Sequence, residues 1–253
     1  MTEVLSYGGG RQTVAICVLI AQDKLPRPER IVCADTGREA SSTWRYLNTY
    51  VRPLMKTVGL TVEIASHDLA TVDLYSGNGD LLIPAYTKDG KLPTFCSTEW
   101  KRRPVQRYLR GKGYGPEKPV SMWLGFSVDE VGRAKPSQTS WITHRYPLLM
   151  DVALNKRECV ALVREAGLPE PPRSSCWMCP HRADAEWKAL SPGDFANAVM
   201  LEQEIQGKDT QGGVWLHRSR AQLENAVLDA PEVDLPLFGE KGQEECASGY
   251  CFV

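Results

Sequence analysis

The chain of 253 residues has no run approaching the ~18 apolar residues that a membrane helix needs, which argues against a helical membrane protein. It has no excess of basic charge. Lys and Arg number 30 against 31 Asp and Glu, so a protein that coats DNA with its whole surface is not expected. It has no internal repeat and no low-complexity tract, which removes fibrous and disordered classes. Met1-Thr2-Glu3 lacks the basic start and the apolar stretch of a secretory signal, so the expectation is a cytoplasmic protein with reduced thiols. What remains is an ordinary globular composition, 42% hydrophobic and 24% charged. The length suits one large domain, or one with an appendage, burying ~70–75% of the surface of its unfolded chain.

The first third alternates strand and helix patterns. Val4 to Tyr7 reads as a short strand stopped by Gly8-Gly9-Gly10, and Gln12 to Gln22 as a buried helix. Arg30 to Ala34 is a second buried strand ending at the turn Asp35-Thr36-Gly37. Ser41 to Met55 has helical spacing, and 60–64 alternates like a strand. This order predicts an α/β fold, a mostly parallel sheet sandwiched by helices with right-handed crossovers. Residues 70–95 read as loop, Pro104 opens a helix, and Val120 to Gly125 is a further strand. Asn155 caps a helix that runs to Ala166, and helical patterns recur at 194–206 and 219–227. Residues 1–150 are expected to form the α/β core. Residues 151–253 are expected to form a helical, cysteine-bearing extension packed on it within one structural domain.

Ser6-Tyr7-Gly8-Gly9-Gly10-Arg11-Gln12-Thr13 lies between a strand and a helix. Glycines let the backbone approach an anion, and the N–H groups and positive end of the helix hold it. No Gly-Lys-Ser/Thr follows, so the loop is not a P-loop, and the third glycine of the Rossmann fingerprint is missing. Asp35, at the end of the second strand, is placed to meet a ribose, an adenine edge or Mg²⁺. The plain alternatives are a tight glycine turn and an Asp-Gly turn. Two such loops on one strand edge favour a nucleotide site.

Ser-x-Gly-Gly-Gly-x-Gln-Thr after the first strand, with a strand ending Ala34-Asp35-Thr36-Gly37, resembles the PP-loop nucleotide α-hydrolase superfamily. It is closest to the phosphoadenosine phosphosulfate (PAPS) reductase-like branch. Cys96-x4-Lys101-x2-Pro104 resembles that family's Cys-Cys-x3-Lys-x2-Pro segment. Gly125-x3-Asp129-Glu130-x2-Arg133 resembles its Gly-x-Arg-x-Asp/Glu-x3-Arg loop. The match runs from residue 4 to about 182. The whole sequence, with its terminal Cys-x4-Cys, resembles PAPS reductase-like proteins common in phage genomes. The resemblance implies an adenine-nucleotide site at Ser6, Gly8, Gly9, Gly10, Gln12, Thr13, Asp35, Thr36, Gly125, Asp129 and Glu130. It implies catalytic roles for Lys101 and Arg133, and ATP with Mg²⁺ as bound species. Gln12 stands where many PP-loop ATPases have the metal-side aspartate; Asp35 or Asp129-Glu130 can compensate.

Of eight cysteines, Cys17, Cys33 and Cys159 fall in apolar patterns and read as buried small hydrophobes. Cys176-x2-Cys179 and Cys246-x4-Cys251 are short pairs, and Cys96 stands beside a basic segment. Spacing alone allows structural zinc on Cys176, Cys179, Cys246 and Cys251. It also allows redox chemistry by the first pair or by a tail cysteine. The resemblance to iron–sulfur APS reductases adds a [4Fe–4S] cluster on Cys96, Cys176 and Cys179, with Cys251 (or Cys246) as fourth ligand or one iron open. Ser97 replaces the second cysteine of the family's first pair. Lys101, Arg102, Arg103, Arg107 and Arg110 form a basic stretch that suits phosphates, or is a solvated helix face.

The expectation is therefore ATP-dependent adenylation, releasing pyrophosphate, coupled to sulfur transfer onto a nucleic acid or nucleotide. Cys251 is a candidate catalytic sulfur carrier and tRNA or DNA a candidate acceptor; no membrane is involved, and a homodimer is allowed. The alternatives are an APS or PAPS reductase releasing sulfite, and a zinc-stabilised nucleotide- or nucleic-acid-binding module without turnover.

Overall fold

Neighbouring residues of the first strand lie in different cores. Leu5 joins Ile31 and the buried side of the first helix, whereas Val4 and Val32 join Val105, Leu109 and Met122. That period of two is what a strand covered on both faces requires. The computed structural model describes residues 1–66, 73–209 and 213–228. In chain order its strands are β1 (Thr2–Ser6), β2 (Arg30–Ala34), β3 (Val62–Ala65), β4 (Tyr86–Thr87), β5 (Gly90–Lys91), β6 (Val120–Trp123), β7 (Ile142–Arg145) and β8 (Val214–Trp215). Its helices are α1 (Arg11–Ala21), α2 (Ser41–Tyr46), α3 (Arg52–Thr57), α4 (Arg103–Gly111), α5 (Pro147–Met150), α6 (Lys156–Glu165), α7 (Asp184–Lys188), α8 (Pro192–Lys208) and α9 (Leu223–Leu228). A π-helical turn, Leu47–Val51, joins α2 to α3, and another, Thr98–Arg102, leads into α4.

The main sheet is parallel, ordered β3-β2-β1-β6-β7. The expected α/β architecture is present. α1, α3, α5 and α6 cover one face and α4 the other. In α1, Thr13 to Ile20 are all buried, so nearly its whole surface serves the core. Each large aliphatic side chain there contributes ~1.5–3 kcal/mol of burial, which holds the body of α1 on the sheet. Asn155 caps α6 as expected: its side chain accepts from Glu158 N (3.0 Å), and Glu158 answers by accepting from Asn155 N (2.8 Å).

The strand order reverses beside β1, so the carboxyl ends of β1 and its neighbours open a crevice there. A third apolar cluster closes over that end. It joins Leu82, Trp100, Met178, Trp187, Leu201 and Leu216, with Cys96 and Cys176 packed against it. The small antiparallel sheet β5-β4-β8 belongs to this layer. The buried Glu202 carboxylate holds the layer's last segment by accepting from Leu216 N (2.8 Å) and Leu223 N (2.6 Å). No described helix is long and apolar enough to cross a membrane.

Candidate active site

β1 ends at the buried Ser6 and Tyr7, and the chain turns through Gly8, Gly9 and Gly10 into α1. Gly9 has φ +75°, and a Cβ there would meet Thr43 Cγ2 at 2.6 Å. Gly10 is extended and offers no capping side chain, and the first turn of α1 carries no acidic residue. The N–H groups of that turn therefore face the crevice with the positive end of the helix dipole behind them. Gly125 completes the cradle from β6. A Cβ there would lie 2.8 Å from Thr13 Cγ2 and 3.2 Å from Thr13 N. Thr13 itself donates to Gly10 O (3.1 Å).

Gln12 faces the loop after β6. Its Nε2 donates to Glu130 Oε2 at 2.7 Å, and Ser127 Oγ donates to the same oxygen at 3.1 Å. Arg133 and Lys156 (3.6 Å) pair with the other oxygen of this buried carboxylate. The carboxylate that faces the start of α1 thus belongs to the 3₁₀ turn Val128–Arg133 and is already matched by two cations. Asp129 does other work: Oδ1 accepts from Lys156 N (3.2 Å) at the start of α6. Asp35 caps its own turn by accepting from Gly37 N (2.8 Å). Thr36 is fully buried, and its hydroxyl lies 3.6 Å from Cys176 Sγ, on the cysteine side of the crevice.

Three of the five singled-out cysteines converge. Residues 175–177 pair with 38–40: Ala40 N donates to Ser175 O (3.2 Å) and Trp177 N to Arg38 O (2.9 Å). Cys179 N closes the turn on Cys176 O (3.0 Å). The buried Arg182 guanidinium clamps this turn, donating to Ser175 O (3.1 Å) and Cys176 O (3.2 Å). Burial, then the sulfurs of Cys176 and Cys179, push the Cys96 thiol up; burial, then Glu39, push Cys176 up to about 12. All three are free thiols. Among the described residues, no group of three or more His, Cys, Asp or Glu stands arranged to hold a metal ion. The donor chemistry is nevertheless all soft sulfur, which suits a thiolate-bound cluster. Cys246 and Cys251 lie outside the described residues.

Glu39, Ser174, Tyr7 and Thr43 enter the site although no motif marks them. Ser174 Oγ contacts Gly8 O, so residues 173–176 lie directly over the glycine loop. The same hydroxyl is 3.0 Å from Glu39 Oε1. Glu39 Oε2 stands 3.8 Å from Lys101 Nζ and 4.0 Å from Cys176 Sγ. Burial opposes the charge of Lys101, but Glu39 and then the three sulfurs outweigh it and hold its pKa above the ordinary lysine value. Beside them is a cavity of about 10 Å³, room for about one water, lined by Tyr7, Gly8, Cys33, Glu39, Thr43 and Lys101 among others. Tyr7 Oη and Thr43 Oγ1 are buried there without a hydrogen-bond partner among the described residues. Cys33 is buried, as its apolar strand predicts, and lines this cavity too. His181 is 3.1 Å from Lys91 Nζ, and His217 is held between Asp184 (3.0 Å) and Ser219 (2.7 Å).

No protein-family model matches the chain, and no curated protein matches it. Solved structures give partial likenesses. A phosphoadenylyl-sulfate (PAPS) reductase from Candida auris, in a phosphate complex, is 16% identical over 68% of this chain and 75% of that one, with a TM-score of 0.42. The U34-tRNA thiolase NcsA from Methanococcus maripaludis, solved with its [4Fe–4S] cluster, is 8% identical over 91% of this chain and 73% of that one, with a TM-score of 0.45. The five-stranded parallel sheet flanked by helices, with a glycine loop leading from β1 into α1, is the α/β arrangement that the sequence predicts.

Proposed function

We propose that this chain is a PP-loop enzyme that adenylates an oxygen of a nucleic acid or nucleotide with ATP and replaces that oxygen with sulfur. One observation carries the reading. An unbroken chain of contacts runs from the glycine loop at Gly8, through Ser174 and Glu39, to Lys101 and Cys176. On this reading the glycine loop and the thiols, which share a carboxylate and a cation, work as one site.

In this reading the phosphates of ATP lie on the first-turn N–H groups of α1. The acceptor oxygen attacks the α-phosphorus, the bond to the bridging oxygen breaks, and pyrophosphate leaves. Preorganised N–H donors and Lys101 stabilise the charge that develops, the kind of contribution whose loss costs ~10²–10³ in rate per donor. Arg133, held near the loop by Glu130, is the second cation for the phosphates. A sulfur nucleophile, supplied as sulfide, then attacks the activated carbon, and AMP departs with the oxygen. Cys96, Cys176 and Cys179 would hold a [4Fe–4S] cluster, which when bound supplies an iron that carries sulfur. Glu39 keeps Lys101 charged and aligned between the two halves.

The test is release of pyrophosphate from ATP by anaerobically purified protein in the presence of RNA or DNA fractions. Lys101→Ala is expected to abolish it. Cys176→Ala is expected to spare pyrophosphate release and abolish sulfur incorporation. Absence of pyrophosphate with every fraction overturns the reading, and sulfite release from APS or PAPS without ATP would replace it with a sulfonucleotide reductase.

A further inference from the structure

A second cavity lies away from the thiols, along the edge strand β7. It measures about 420 Å³, within the range of ligand sites, and its walls include Lys135, Ser137, Ile142, Thr143, His144 and Tyr146. No carboxylate lines it. Its outer wall is built and held. Lys135 N donates to Tyr146 Oη at 2.9 Å, and the His144 ring meets Lys135 O at 2.8 Å. Tyr146 stacks on Phe126 (5.6 Å), and the Arg133 guanidinium covers Phe126 (4.8 Å). The floor of the groove is therefore joined to the phosphate end of the sheet.

α4 flanks this groove. Arg102 Nη1 donates to Gln138 Oε1 (3.3 Å) and Gln106 Nε2 to Thr139 Oγ1 (3.0 Å), so the helix and the turn before it grip the 137–139 loop. Arg103, Arg107 and Arg110 are exposed at i, i+4 and i+7, which places them on one face of α4. Arg103 pairs with Glu99, and Arg110 reaches back over Trp141, one residue before β7 begins. In a chain of net charge −1, a ridge of three arginines beside a groove with a lysine and no acid is a local segregation of positive charge. Cations spaced along a surface next to an aromatic-walled groove suit a phosphate backbone with an unstacked base.

We propose that the β7 groove and the arginine ridge of α4 together bind a single-stranded segment of nucleic acid. The identification of that strand as the acceptor rests on the function proposed above; the binding itself does not. The strand's phosphates would lie on Arg107, Arg110 and Lys135, and a base would enter the groove beside Tyr146 and His144.

The experiment measures binding of fluorescent 12-nucleotide single strands, RNA and DNA, to the full chain by anisotropy at several salt concentrations, with no ATP present. Arg107→Gln with Arg110→Gln is expected to weaken binding at least tenfold and to reduce the slope of log affinity against log salt by about 1.4, near 0.7 per lost phosphate contact. Ser137→Trp, which fills the groove, is expected to weaken binding without changing that slope. Thermal unfolding confirms that each variant is folded. Equal affinity in all three proteins overturns the proposal. So does failure of the wild-type chain to bind either strand, or displacement of the strands by an acidic peptide with greater affinity. Pyrophosphate release is assayed separately: its failure, with strand binding intact and sensitive to these variants, rejects the adenylation reading and leaves the groove in place.

Discussion

Gln12→Glu converts the donor at the start of α1 into a second carboxylate facing Glu130. The native bond is short, 2.7 Å, and its acceptor is 4% exposed. Losing a hydrogen bond to a charged group costs about 1.5–3 kcal/mol. For a chain of this length each kcal/mol moves Tm by about 2–4 °C, so the bond alone predicts a fall of about 3–12 °C. Like-charge repulsion adds to this until the pair takes up a proton. A shared proton means that one carboxylate of the variant has a folded pKa above its unfolded value of about 4.3. A raised folded pKa gives stability that is complete below the unfolded value and is lost as pH rises through the folded one. The Tm deficit should therefore be small near pH 4.5 and full at pH 8.

Adding Glu130→Gln to that variant restores one donor and one acceptor with their places exchanged. Calorimetry of the four proteins then forms a double-mutant cycle, and the coupling should reach at least about 1 kcal/mol. Purely additive losses, within about 0.5 kcal/mol, would refute a direct Gln12–Glu130 bond that contributes to stability. A Tm deficit independent of pH would refute the electrostatic part alone.

Gly125→Ala places a methyl 2.8 Å from Thr13 Cγ2, and should lower ATP affinity more than tenfold in a calorimetric titration; Thr13→Ser in that background removes the clash with Cγ2 and should recover part of the loss. Asn155→Ala removes the cap of α6 and should cost about 1 kcal/mol, or about 2–4 °C in Tm, and an unchanged melting curve would count against the capping box. Burial raises the pKa of Asp184, but bonds from His217 and Arg218 outweigh it and leave it depressed, so its contribution is present above the ordinary aspartate value of about 3.9 and is lost as pH falls through the folded one. Melting curves of the wild type and Asp184→Asn should thus differ at pH 7 and converge towards pH 3, and a gap constant with pH would contradict that.

The parts of the site that were legible in the sequence depend on local backbone chemistry. A glycine loop between an apolar strand and helix, a capping asparagine and a Cys-x2-Cys turn each announce themselves within a few residues. Glu39 and Ser174 do not, because they act on each other across a sequence separation of 135 residues, and each alone reads as an ordinary polar loop residue. The basic segment shows a subtler limit. Read as one helix, Lys101 to Arg110 has a fixed phase, but the π turn at Thr98–Arg102 adds a residue to the turn and shifts that phase. Lys101 is buried against the thiols, and Arg103, Arg107 and Arg110 face solvent. β7 carries no strand signal for a related reason. Ile-Thr-His-Arg at a sheet edge needs only one well-buried face and lacks the apolar run that marks β2 or β6.

Lys101 explains why these halves belong together. A buried cation is costly unless it is paired, and with the Cys176 pKa at about 12 the thiol beside it is neutral near pH 7. Glu39 is the carboxylate that faces Lys101, at 3.8 Å. In the proposed reaction, a phosphate arriving at the glycine loop and thiolates forming at Cys176 would draw on the same ammonium group. Each makes it less available to the other, unless the thiolates bring their own positive ion. In the proposed reaction, loading of the thiols and binding of a nucleotide would therefore be coupled through one side chain. Lys101, Glu39 and Ser174 follow one another from the thiols to the glycine loop, which is the arrangement the proposed reaction requires.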